Sequence, residues 1–248
     1  MIKGLIMAIS TYSKLPMPRV KWDESAMRYS MCFFPVVGAI VGAIWLGVYY
    51  LLDKVGCSVI LSAAVLTALP LVITGGIHMD GFLDTVDALS SYKPKEEKLK
   101  ILKDPHTGAF AIIFCGVYLL LYFGMVSELI LHAEKESFYV MALGFMLTRI
   151  LSGMSVEAFP KAKKEGMLAD TASMSSKWNL SVLSVELGIV LGLMGLFGGR
   201  QGIFAIVAAL LVFIYYRVMS VKKFGGITGD LAGYFLQLCE LFILGAVL

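Results

Sequence analysis

Three aspartates, Asp80, Asp84 and Asp87, follow a stretch from 55 to 77 that contains no charged residue. Residues three and four apart share one face of a helix, and at about 100° per residue these carboxylates fall within roughly 60° of one another. Like charges so placed repel, and more strongly beside a bilayer than in water, so the pattern asks for a cation. Carboxylate oxygens are hard ligands, and Mg²⁺ typically takes one or two of them together with phosphate oxygens of a substrate. Asp80, Asp84 and Asp87 are therefore candidate Mg²⁺ ligands. The competing reading is a solvated helix face whose acids suit the positive end of the helix dipole. His78, two residues earlier, is a candidate proton acceptor or orienting group, with an interfacial polar residue as the plainer alternative.

Two later blocks carry chemistry of the same kind. In "ILKDPHTGAF" (101–110), Asp104 is either a further ligand or a helix cap, and Lys103 is a compact positive charge suited to phosphate. In "KKFGGITGDLAGYFLQLCE" (222–240), the glycine-rich loop before Asp230 could bring backbone amides to an anion. Asp230, Gly233, Gln237 and Glu240 then share an arc of about 100° on a helix. Glu240 and Arg149 each interrupt an apolar span, where an ionisable residue is costly and by default functional. Arg149 has two open readings: it binds a substrate phosphate, or it pairs with Glu240 or Glu186. No Ser–His–Asp or Cys–His spacing for covalent catalysis is present, so the residues suit metal-assisted phosphoryl or nucleotidyl-type transfer.

Such groups must be held by membrane helices. Of 248 residues 58% are hydrophobic and 16% charged, with mean hydropathy +0.83, against about 25% charged in soluble domains. A crossing helix needs about 20 apolar residues. Seven segments qualify: Met31–Leu52, Val55–Ile77, Thr107–Ser127, 137–156, 178–199, a short 201–216, and 231–248. Asp80–Ser90 reads as a helix at the interface, and "KPKEEKLKILK" as a short amphipathic helix with Leu99, Ile101 and Leu102 toward the membrane.

Lysine and arginine counts in the intervening segments alternate 5, 1, 5, 1, 4, 1, 3. Cytoplasmic loops collect these residues, so the alternation places the N-terminus and all the aspartates above on the cytoplasmic side. The expectation is an all-α, polytopic helix bundle of about seven spans, one membrane-embedded domain over 1–248. The four cysteines (Cys32, Cys57, Cys115, Cys239) lie in apolar runs as buried thiols, with no disulfide framework or zinc spacing. No signal peptide is expected from Lys3 and the uncharged residues after it, no internal repeat or nucleic-acid motif is read, and the oligomeric state is left open.

The motifs resemble those of the cobalamin synthases, or adenosylcobinamide-GDP ribazoletransferases. "STYSKLPMPR", "FFPVVGAIVG", "TGGIHMDGFLDTVDAL", "ILKDPHTGAF" and "GGITGDLAG…E" occur in that family's order across nearly the whole chain. Pro105-His106 replaces the serine and basic residue of many relatives, which passes an anion contact to His106, and Gln237 stands where some relatives have an acid. The resemblance implies transfer between adenosylcobinamide-GDP and α-ribazole or its 5′-phosphate, with Mg²⁺ required and GMP released. It implies that Asp80, Asp84 and Asp87 hold Mg²⁺ and that Asp84, Asp87, Asp104 and His78 serve catalysis. Lys103, His106, Arg149, Gly226, Thr228, Asp230 and Glu240 would contact substrate. It also implies a multi-pass protein of the cytoplasmic membrane.

Two rivals remain. CDP-alcohol and prenyl-diphosphate transferases also place acids at a membrane face, but with other aspartate spacings. A divalent-cation transporter would carry acids near mid-membrane in several spans.

Overall fold

The computed structural model describes residues 2–18, 28–162 and 178–248, together with Leu168, Thr171, Ser173 and Ser176. Arg19, Lys21, Lys163, Lys164 and Lys177, which entered the charge alternation, lie outside the described residues. Among those described the chain is helical, without a β-strand: α1 (Ile2–Tyr12), α2 (Ser30–Val55), α3 (Val59–Thr74), α4 (Ile77–Ser90), α5 (Lys95–Ile101), α6 (Ala109–His132), α7 (Lys135–Ala158), α8 (Trp178–Phe224) and α9 (Gly229–Ala246).

Helix ends follow from local chemistry. Gly56 closes α2 in the left-handed conformation and returns its N–H to Asp53, with Lys54 in the last turn facing the negative end of the dipole. Ser58 then caps α3 by accepting the Leu61 N–H at 3.3 Å. α3 stops earlier than the apolar run predicts. Gly75 and Gly76 both take positive φ, 65° and 76°, which two consecutive L side chains would resist. The chain bends there by 94°, so α4 lies across the end of the bundle instead of continuing the crossing. α4 also begins three residues before the predicted start at Asp80.

α8 is the other departure. A straight 47-residue helix would run about 70 Å, over twice a bilayer's hydrocarbon thickness of about 30 Å. Gly199 breaks it with φ 49° and ψ −122°. Gly202 then lies directly against the Met194 carbonyl, so the arms 178–198 and 200–224 run antiparallel. By length and apolarity five helices can cross a membrane, six when α3 and α4 count as one bent crossing. Among the described residues α8 counts as one of these, although Gly199 divides it into two arms.

α7 is the axis of the bundle: 72% of its apolar window is buried, against 22% for the lipid-facing α6. α2 meets α7 closely because Gly38 and Gly42 sit against the backbones of Phe145 and Ala142. Trp45 fills the interior and donates its Nε1–H to the Leu66 carbonyl at 3.0 Å. α5 does not offer its apolar residues to lipid as predicted. Leu99, Ile101 and Leu102 join the protein core, and Lys98 is buried beside Lys223. The four cysteines are free.

Candidate active site

The predicted blocks meet at one end of the bundle. α4 packs along the first half of α9, where Gly81 sits against the Asp230 backbone and Gly233 against that of His78. Only hydrogen atoms at 81 and 233 allow this approach, and it sets Asp80 near Asp230. Beside the contact is a cavity of about 580 Å³ lined by His78 and Asp80 of α4, Lys103, and Thr228, Gly229 and Asp230 at the start of α9. Its apolar wall includes Tyr12, Phe34 and Leu236. Thr228 caps α9 through the Leu231 N–H at 3.2 Å.

His78 is 4% exposed and its Nε2 has no hydrogen-bond partner. It stands among the rings of Tyr12 and Phe34, with centroids 6.3 and 6.0 Å away. Asp80 is exposed at the cavity edge, and Asp84 and Asp87 continue the same face, both partly buried. Burial, then the charges of Asp80, Asp230 and Asp87, push the Asp84 carboxyl up to about 6. Asp87 abuts Gly108, the residue before α6, where a helix start favours negative charge.

Other predicted residues are placed elsewhere. Arg149 and Glu240 pair with each other, 0% and 2% exposed, outside the cavity lining. Of the two readings open to Arg149, the structure shows the ion pair. Its Nη1 also donates to the Phe145 carbonyl and the Thr148 hydroxyl. Asp104 and His106 are exposed and face each other. The Asp104 carboxylate accepts the His106 N–H at 3.0 Å and meets its Nδ1 at 2.7 Å, and these bonds lower the Asp104 pKa. Neither lines the cavity. Gly226 packs against the backbone of 160–162, where the Ile227 N–H donates to the Pro160 carbonyl at 2.8 Å. It anchors the loop, and the contact surface passes to Thr228–Asp230. Gln237 is buried on the inward face of α9.

Sequence reasoning missed α1. Its last turn brings Tyr12 to the cavity, and the apolar "IKGLIMAIS" before a hydroxyl-rich end was the available signal. Ser152 and Val156 of α7, with Leu168 and Thr171, are further wall residues that no motif marked.

The carboxylates suit a hard divalent ion in donor type, and their mutual repulsion adds to burial in lifting Asp84. Among the described residues no three His, Cys, Asp or Glu side chains converge on one point. One or two of these carboxylates would hold Mg²⁺ only with phosphate oxygens of a substrate completing its shell.

The described helices form a polytopic membrane bundle with acids, a lysine and two helix starts around one cavity. The cobalamin-5-phosphate synthase family model matches residues 4–248, and the chain belongs to this family, whose members are transferases of cobalamin biosynthesis. It is similar to the adenosylcobinamide-GDP ribazoletransferase of Lachnoclostridium phytofermentans, 46% identical over 246 residues that cover 97% of this chain and 91% of that one. Proteins of the same name from Clostridium botulinum strain Eklund 17B and Desulfitobacterium hafniense are 34% and 32% identical, covering 97% and 99% of this chain and 95% and 96% of theirs. No solved structure matches the chain.

Proposed function

We propose that the protein transfers the cobinamide phosphoryl group of adenosylcobinamide-GDP to the 3′-hydroxyl of α-ribazole or its 5′-phosphate, with Mg²⁺ bound, at the cytoplasmic face of the cell membrane. The observation that carries this reading is the convergence of His78, Asp80, Lys103 and Asp230, from three distant blocks, on one cavity. The family membership and the relatives' names support it.

In this mechanism Asp80, with Asp84 or Asp230, would hold the ion, and Mg²⁺ would supply neutralisation of charge on the transferring group. Lys103 adds positive charge on the same side, and the positive end of the α9 dipole favours a phosphate oxygen there. The ribose oxygen forms its bond to phosphorus, and the bridging P–O bond breaks with its electron pair on GMP. His78 Nε2, buried and unpartnered, takes the hydroxyl proton in the tautomer that carries hydrogen on Nδ1. The aromatic wall excludes water that would compete with the hydroxyl.

The lysine-rich segments at 93–103 and 222–223 lie at the same end as the cavity, which supports a cytoplasmic site. Transport has less support, since the acids that line the cavity lie at one end of the bundle and Glu240 in its interior is paired with Arg149. The test incubates purified protein with Mg²⁺, adenosylcobinamide-GDP and α-ribazole and follows GMP. Release no greater than that of Asp80→Ala sinks the assignment.

A further inference from the structure

A second hollow, about 540 Å³, also borders Asp80. It shares only Ile77 and Asp80 with the main cavity. Both volumes fall within the about 300–1,000 Å³ of small-molecule sites, but the linings differ. The second carries Ser10, Thr11, Ser13 and Lys14 from the end of α1, Gly75 and Gly76 from the bend, and Ile77 and Met79 from the first turn of α4.

Its chemistry is that of an anion site. The Lys14 N–H is tied to the Ile73 carbonyl at 2.7 Å and its stem lies across Gly75, so the ammonium is held over the hollow. Lys14, Ser10 and Thr11 side chains make no hydrogen bond or ion pair among the described residues. The first amides of α4 have no partner within the helix, and the first bond there runs from Asp80 N–H back to Gly76. Asp80 is the one acid of the lining.

A phosphoryl transfer needs its attacking and leaving oxygens roughly in line, on opposite sides of phosphorus. Two hollows that share Asp80 and Ile77 let the two ends of such a transfer lie against different walls. We propose that the α1 hollow binds the departing nucleoside monophosphate, with its phosphate on Lys14, Thr11 and the α4 amides. The ring-walled cavity then takes the acceptor nucleoside. The inference rests on the transferase reading above and assigns the leaving group and the acceptor to separate hollows that share Asp80.

The test uses equilibrium dialysis of the purified full chain with labelled GMP, inorganic phosphate and α-ribazole, each with Mg²⁺ and no turnover. Lys14→Gln is expected to weaken GMP at least tenfold and leave α-ribazole within twofold, and Lys14→Arg is expected to retain GMP within threefold. Thr11→Ala, which removes one hydroxyl, is expected to weaken GMP severalfold. Unchanged GMP affinity in Lys14→Gln, or equal losses of GMP and α-ribazole, overturns the proposal. So does displacement of GMP by phosphatidylglycerol micelles with no change in Lys14→Gln, which would mark a lipid-headgroup site. Binding is read without catalysis, so a failed GMP-release assay refutes the transferase reading separately.

Discussion

Gly233 of α9 lies against the backbone of His78 in α4, so closely that a side chain at 233 would meet the His78 carbonyl at 2.8 Å. This contact sets the distance between the two acid-bearing helices. Overpacking of such a contact typically costs about 1–3 kcal/mol. Gly233→Val is expected to separate Asp80 from Asp230 and lower kcat/KM at least about tenfold, or about 1.4 kcal/mol. The GMP-release assay together with a melting curve checks it, and full activity would show that the spacing is immaterial.

Arg149 and Glu240 form a buried pair, and removing one partner of such a pair strands a charge at about 3–5 kcal/mol. Arg149→Met and Glu240→Gln should each lower the melting temperature in detergent sharply, whereas Arg149→Met with Glu240→Met should recover most of it. Loss of GMP release in a stable double variant would instead assign the pair to substrate.

Asp84 titrates near 6 in the folded chain, above the ordinary carboxylate value of about 3.9. The fold thus binds this proton more tightly than the unfolded chain does, and stability falls as pH rises from about 4 to about 6. Without divalent cations, Asp84→Asn should melt above the wild type at pH 7.5. That advantage should shrink as the pH is lowered through this window, and Mg²⁺ should raise the wild type alone at pH 7.5. An advantage for Asp84→Asn independent of pH would refute the charge repulsion.

Asp104 is exposed and bonded to His106, away from the cavity lining. Asp104→Ala is expected to lower GMP release less than about threefold, while Asp80→Ala abolishes it, a difference above about 2 kcal/mol. Equal losses would place Asp104 in the chemistry.

Lys93 and Lys135 are both exposed, at opposite ends of the bundle. In a Cys57→Ser, Cys115→Ser background, cysteines at the two positions should label from opposite sides of intact vesicles. Labelling of both from one side breaks the crossing count.

The local part of this design was legible in the sequence. The helical period put Asp80, Asp84 and Asp87 on one face, and hydropathy marked the apolar helices of a polytopic bundle. The illegible part depends on contacts between distant residues. Nothing near Arg149 chooses between a phosphate and Glu240, 91 positions away. Nothing near Asp104 reveals that its loop stands clear of the cavity. The bend at Gly75–Gly76 hid inside an unbroken apolar run because glycine conformation leaves no trace in hydropathy. α1 escaped because eleven residues are too few for a crossing.

The loops at the end away from the cavity are very short: 56–58 between α2 and α3, 133–134 between α6 and α7, and Gly199 alone within α8. That face gives a soluble protein almost nothing to grip. Whatever delivers precursors or collects product therefore has a single docking side, and the far surface is little more than a lid on the bilayer.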